Sequence, residues 1–113
     1  MLVLPIKKKW FDMICSGKKK EEYRQMNHYY MSRFMNAFGF VMVGDKMLYG
    51  NDVPEEIRVE WPVPIILRNG YSLKSPQIKC MCNLRIGHGN EELGAEPGIV
   101  YYILEIKNIS HIL

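Results

Sequence analysis

An α+β domain is the fold class this sequence predicts, and three observations carry it. Two amphipathic helical stripes lie within the first 39 residues, and the remainder breaks into strand-like runs punctuated by Gly, Pro and Asn. The last run, Ile99 to Ile106, is apolar on both faces apart from Glu105, the pattern of a central barrel or sheet strand covered from both sides. With 113 residues the chain makes one domain, 1–113, and no linker, repeat or low-complexity tract divides it. An apolar fraction of 48% with 24% charged residues is that of ordinary globular domains, which excludes intrinsic disorder.

The elements follow in order. Leu2 to Ile6 reads as a short strand whose Pro5 limits its pairing. Ile6, Trp10, Met13 and Ile14 recur at helical spacing, predicting a helix that packs this stripe on the core and ends at Gly17 as its left-handed cap. From Lys19 to Gln25 a period of two separates Lys19, Glu21 and Tyr23 from Lys20, Glu22 and Arg24. Neither face is apolar, so this strand is expected at an edge or as the wall of a polar pocket. Asn27 is positioned to cap a second helix, in which Tyr30, Phe34 and Phe38 repeat every four residues beside Met31 and Met35, with Gly39 closing it. That stripe reads as core; an aromatic platform for bases is the less favoured alternative, because base-stacking aromatics more often sit on sheets or loops.

Phe40 to Val43 and Met47 to Tyr49 flank Gly44-Asp45-Lys46, a hairpin signal, and Ile57, Val59 and Trp61 alternate with polar residues. Pro62 and Pro64 predict an extended, irregular segment, and Asn69-Gly70 a two-residue hairpin turn. The clearest strand opens after Ser75-Pro76, with Ile78, Cys80, Cys82, Leu84 and Ile86 on one face. Gly87 to Gly98 bounds a polar loop before the final strand.

No apolar run approaches the roughly 20 residues of a membrane span, and the N-terminal run lacks a preceding basic region, so neither a span nor a secretory signal is expected. Three cysteines, an odd count, argue against a disulfide framework and for a reducing, cytoplasmic setting. Cys80-Met81-Cys82 is too closely spaced for a structural zinc pair, and both thiols fall on the apolar face, so no metal or other cofactor is expected. Cys15 has no local histidine that could activate it, and His28 and His111 have no evident role. His88, between two glycines, could approach a ligand, although a solvated turn histidine is the plainer reading.

The net charge is +3, but residues 1–33 carry eight of the fifteen Lys and Arg against Asp12, Glu21 and Glu22. That is a surplus of +5 there and −2 over the rest, so an anionic partner is expected in the N-terminal third. So modest an overall surplus favours a compact pocket over a broad duplex-binding surface. The sharpest constellation is Gly17 to Arg24, where Glu22 is expected between Lys20 and Arg24 on one strand face. Bases of this kind can hold an anion while the carboxylate accepts from an amine or hydroxyl, or moves a proton. A solvated edge strand with an ion-pair ladder would look the same.

The order strand, amphipathic helix, then Gly17-x-Lys19-x-x-Glu22-x-Arg24 resembles the signature of the ASCH domains, members of the PUA-like superfamily. Lys20 stands where that signature usually has Thr or Ser. The resemblance implies a small PUA-like β-barrel with helices at its openings and a cleft lined by Gly17, Lys19, Lys20, Glu22 and Arg24, which binds RNA or a nucleotide-like ligand. Lys7, Lys8, Lys9 and Lys18 would add diffuse attraction. One branch of the family hydrolyses the amide of N4-acetylcytidine with a lysine and a threonine; Lys19 matches the lysine, but Glu22 stands where the threonine falls, and neither Ser16 nor Ser110 is an obvious substitute. The alternatives are a small hydrolase acting on a modified nucleoside or RNA with Lys19 and Glu22 as an acid/base pair, against which their opposite faces on an ideal strand count unless a bulge or the tight Gly17 turn redirects one of them, and a module that docks an unidentified acidic protein.

Overall fold

A computed structural model describes residues 1–39 and 58–112. The expected hairpin around Gly44-Asp45-Lys46 lies outside the described residues. Five strands form one sheet in the order β1-β3-β4-β5-β2: β1 Leu2–Ile6, β2 Glu21–Gln25, β3 Arg58–Asn69, β4 Gln77–His88 and β5 Val100–Ile112. The sheet curves into a half-barrel and carries two helices, α1 Lys8–Cys15 and α2 His28–Phe38. β1 runs parallel to β3, and the other pairings are antiparallel.

Local chemistry sets the element ends as expected. Gly17 takes φ 83° and its N–H reaches Ile14 O, which turns the chain out of α1. The side chain of Asn27 accepts from Tyr30 N at 2.9 Å, capping α2, and Gly39 ends it. The α2 stripe is core: Phe34 and Phe38 are fully buried, and Phe34 meets Tyr102 of β5 edge-on with centroids 5.2 Å apart. Both helices pack with β3, β4 and β5 into one cluster that includes Phe11, Ile14, Ile65, Ile78, Cys80 and Leu104. The alternating face of β4 is buried as its pattern requires, and the free thiols of Cys80 and Cys82 sit inside it as small hydrophobes.

β5 is covered on both sides over its first half, for two different reasons. Val100, Tyr102 and Leu104 join the helix-side core, while Tyr101 and Ile103 pack with Ala95 under the loop that follows β4. Pro62 and Pro64 do not interrupt β3, contrary to the expectation of an irregular segment. Pro62 falls within the register shift between Val59 and Val63, and Pro64 precedes the stretch of β3 that pairs with β1, so the missing N–H groups are tolerated. A second shift in the β4–β5 ladder leaves Lys107 unpaired between Asn108 and Ile106, and bulges of this kind bend a sheet. Asn69-Gly70 does not make a two-residue hairpin either. Arg68 pairs with Gln77, and Asn69 N bonds to Pro76 O at 2.9 Å, so the connection is a longer loop over 70–76.

Candidate functional site

The half-barrel brings its two edge strands, β1 and β2, toward each other, and the side chains of β2 bridge between them. Glu22 and Arg24 alternate onto the same face of β2, opposite Leu104 and Tyr102 of β5. The Arg24 guanidinium donates through Nη2 to Pro5 O of β1 at 2.9 Å and to Glu22 Oε2 at 2.8 Å, and through Nη1 to Tyr30 Oη of α2 at 3.1 Å. One side chain therefore ties β2, β1 and α2 together. Burial works against its charge, but the Glu22 carboxylate and the Tyr30 hydroxyl more than compensate and hold its pKa raised.

Lys19 reaches the same carboxylate by a route the alternation did not anticipate. β2 begins at Glu21, so Lys19 still belongs to the turn that closes α1, with its N–H bonded to Met13 O at 3.0 Å. The opposite-face expectation therefore does not apply: Lys19 Nζ lies 3.2 Å from Glu22 Oε1 and donates to Leu93 O at 2.5 Å. Its side chain is only 2% exposed, and the ammonium sits 4.3 Å from the Trp10 ring centroid and 5.0 Å from that of Tyr23. Burial lowers the Lys19 pKa, and the Glu22 charge opposes that shift without cancelling it.

The result is a cation–carboxylate–cation cluster with a surplus of one positive charge, on the floor of a cavity of about 570 Å³. Trp10, Tyr23, Tyr30 and Tyr71 line that cavity together with Lys7, Lys8 and the main chain at Asn69 and Gly70. Trp10 corrects the expectation for the α1 stripe. It is half-buried as a wall of the cavity, and Phe11 takes the core position beside Ile14.

Other expected residues lie elsewhere. Lys20 is exposed and lies outside the cavity lining; its carbonyl accepts from Ile106 N at 2.9 Å. The side chains of Lys9 and Lys18 are exposed outside the cavity lining, Lys9 lying over the outer side of the site at 4.6 Å from the Trp10 centroid. Lys7 and Lys8 stand at the rim, Lys8 paired with Asp12 at 2.5 Å. Gly17 acts through the turn that delivers Lys19. His88 is exposed, with Nδ1 3.1 Å from Ile99 O, and Cys15 is a half-buried thiol whose pKa burial pushes up.

Leu93 O, Gly94 and Tyr71 are contributions the sequence reading missed. The Gly87–Gly98 loop had a visible signal in its glycines, and two of them are fixed by close approach. Gly94 has φ 105°, and a Cβ there would stand 3.0 Å from the Trp10 ring. At Gly89 a Cβ would stand 2.6 Å from Tyr23 and 2.7 Å from Ala95. Tyr23 Oη also accepts from Asn90 N at 2.9 Å, so the loop is moulded onto the Trp10–Lys19–Tyr23 surface.

Among the described residues no group of three or more His, Cys, Asp or Glu is arranged to hold a metal, and no helix is long and apolar enough to cross a membrane. Fold and site together define a small α+β half-barrel domain with a polar, aromatic-walled cavity between its sheet edges. No family model, curated protein or solved structure matches the chain.

Proposed function

We propose that this is an ASCH-like, PUA-like cytoplasmic domain whose cavity binds RNA or a nucleotide-like anion. The observation that carries the reading is the buried Lys19–Glu22–Arg24 cluster, whose unneutralised positive charge faces a cavity lined by aromatic rings. A surplus charge held away from water favours an anion beside it, and rings next to it favour a planar group. Glu22 has one oxygen on Lys19 and the other on Arg24, so its role is to hold two cations in place, and Lys7 with the cluster supplies the attraction.

Titration of short single-stranded RNAs and of nucleoside monophosphates across a series of salt concentrations tests this. Affinity is expected to fall as salt rises, with a slope proportional to the charges neutralised. Absence of binding at low salt would remove the reading.

One observation favours the hydrolase as a second reading: Lys19 and Glu22 are in contact, 3.2 Å apart, and the lysine pKa is lowered by burial. The pair would act as acid and base on an acylated nucleoside or on RNA. Turnover of such substrates that survives unchanged in Glu22→Gln would exclude the pair from the chemistry.

A further inference from the structure

Tyr71 is 88% exposed, and yet it lines the cavity. A packed tyrosine ring buries about 150–250 Å² of surface, so a ring left in water at a cavity rim forgoes a large apolar contact until something covers it. Its backbone is well anchored. Gly70 N bonds to Ile6 O of β1 and to Arg68 O, Asn69 N bonds to Pro76 O, and Ser75 N closes the loop on Ser72 O at 3.0 Å. Leu73 on the same loop is 81% exposed but is not part of the cavity lining. At the floor, Arg24 has spent both terminal nitrogens on Pro5, Glu22 and Tyr30, while its buried Nε has no acceptor among the described residues. The cavity thus has a cationic floor and an uncovered ring at its mouth.

Resting on the nucleotide reading above, we propose that Tyr71 is the stacking residue of this cavity: it covers the base of a bound nucleotide whose anionic group is held by the Arg24 and Lys19 end. The site then selects base-bearing phosphates over those that lack a base, and the selection resides in one exposed side chain. Bases present a π-face of any sequence to such a ring, so the preference is for a base as such.

The test titrates wild type, Tyr71→Ala, Tyr71→Phe and Leu73→Ala with adenosine 5′-monophosphate, cytidine 5′-monophosphate and ribose 5-phosphate at low ionic strength. Tyr71→Ala is expected to weaken both nucleotides by about 5- to 150-fold and to leave ribose 5-phosphate unchanged. Tyr71→Phe should retain nucleotide affinity, and Leu73→Ala should behave as wild type. Nucleotide binding that ignores Tyr71→Ala, or an equal loss for ribose 5-phosphate, overturns the stacking role and leaves the cavity reading standing. An equal loss in Leu73→Ala overturns it too, by marking the whole loop as a docking surface. If wild type binds none of the three probes, the nucleotide reading of the cavity fails, and the role of Tyr71 with it.

Discussion

The two faces of β2 carry two ion clusters of opposite character. On one face Glu22 is held between Lys19 and Arg24, all three side chains at most 11% exposed, with one positive charge in excess. On the other Glu21 and Glu105 share Arg85 at 2.9 and 3.2 Å, with side chains 15–26% exposed. Water reaches the second cluster and screens its pairs, so it serves as a surface ladder closing the β4–β5–β2 strands. The first is enclosed and lines the cavity, and among the described residues Glu22 is the carboxylate in contact with both of its cations. Alternation along five residues therefore separates a structural network from a cavity able to draw an anion.

The largest effect that would break this comparison comes from Glu22→Gln. Removing the carboxylate leaves two buried cations facing each other across a neutral amide, and breaking a buried pair in this way costs about 3–5 kcal/mol. Chemical denaturation measures it, and a cost below about 1 kcal/mol, the range of exposed pairs, would mean the cluster is solvated after all. Lys19→Met is expected to cost less, because Glu22 keeps Arg24, but it leaves Leu93 O without its donor. An unmade bond of that kind costs about 1–3 kcal/mol, and faster amide exchange confined to the 89–98 loop would locate it.

Gly89→Ala comes next in size. Its Cβ would meet the Tyr23 ring at 2.6 Å and Ala95 at 2.7 Å, and both neighbours are held, Tyr23 by Glu21 and Asn90 and Ala95 by the small cluster with Tyr101 and Ile103. Overpacking of this sort costs about 1–3 kcal/mol. A Gly89→Ala variant as stable as wild type would show that the loop is not moulded on the site.

Most of the scaffold was legible because periodicity and caps act locally. The β4 alternation, the α2 stripe, Asn27 and Gly17 each report a short-range physical demand. The continuity of β3 through its prolines was not, because Pro62 and Pro64 argue locally for an irregular break and only their non-local position, inside a register shift and beyond the reach of β1, makes them tolerable. The site was half legible. Glu22 and Arg24 share a face by simple alternation, whereas the Lys19–Glu22 contact depends on where the α1 turn ends. Trp10 has core periodicity and becomes a cavity wall because Lys19 and Gly94 occupy the space beside it. Tyr71 carried no pattern at all; its place follows from the β1–β3 pairing, which brings loop 70–76 beside Ile6.

The smallest effects should come from Arg85 on the far face of β2, and pH sharpens the comparison at two residues that line the cavity, Tyr23 and Lys19. Arg85→Gln removes two partly exposed pairs, to Glu21 and Glu105, each expected to cost about 0–1 kcal/mol, less in high salt. Tyr23, which donates to Glu21 at 2.8 Å, has its pKa pushed from 10.0 to about 12, chiefly by burial. Between those values the folded state holds a proton that the unfolded state has released, so this residue's contribution to stability is lost as pH rises from 10 through 12. Lys19 has the opposite sign. Its folded pKa lies below 10.5, so in the alkaline range just beneath that value the unfolded state binds more protons, and its contribution improves as pH rises. Denaturation midpoints measured across the alkaline range should therefore fall less steeply in Tyr23→Phe than in wild type, and more steeply in Lys19→Met. Parallel slopes in all three proteins would mean that burial at the cavity has no consequence for the protons of Tyr23 and Lys19.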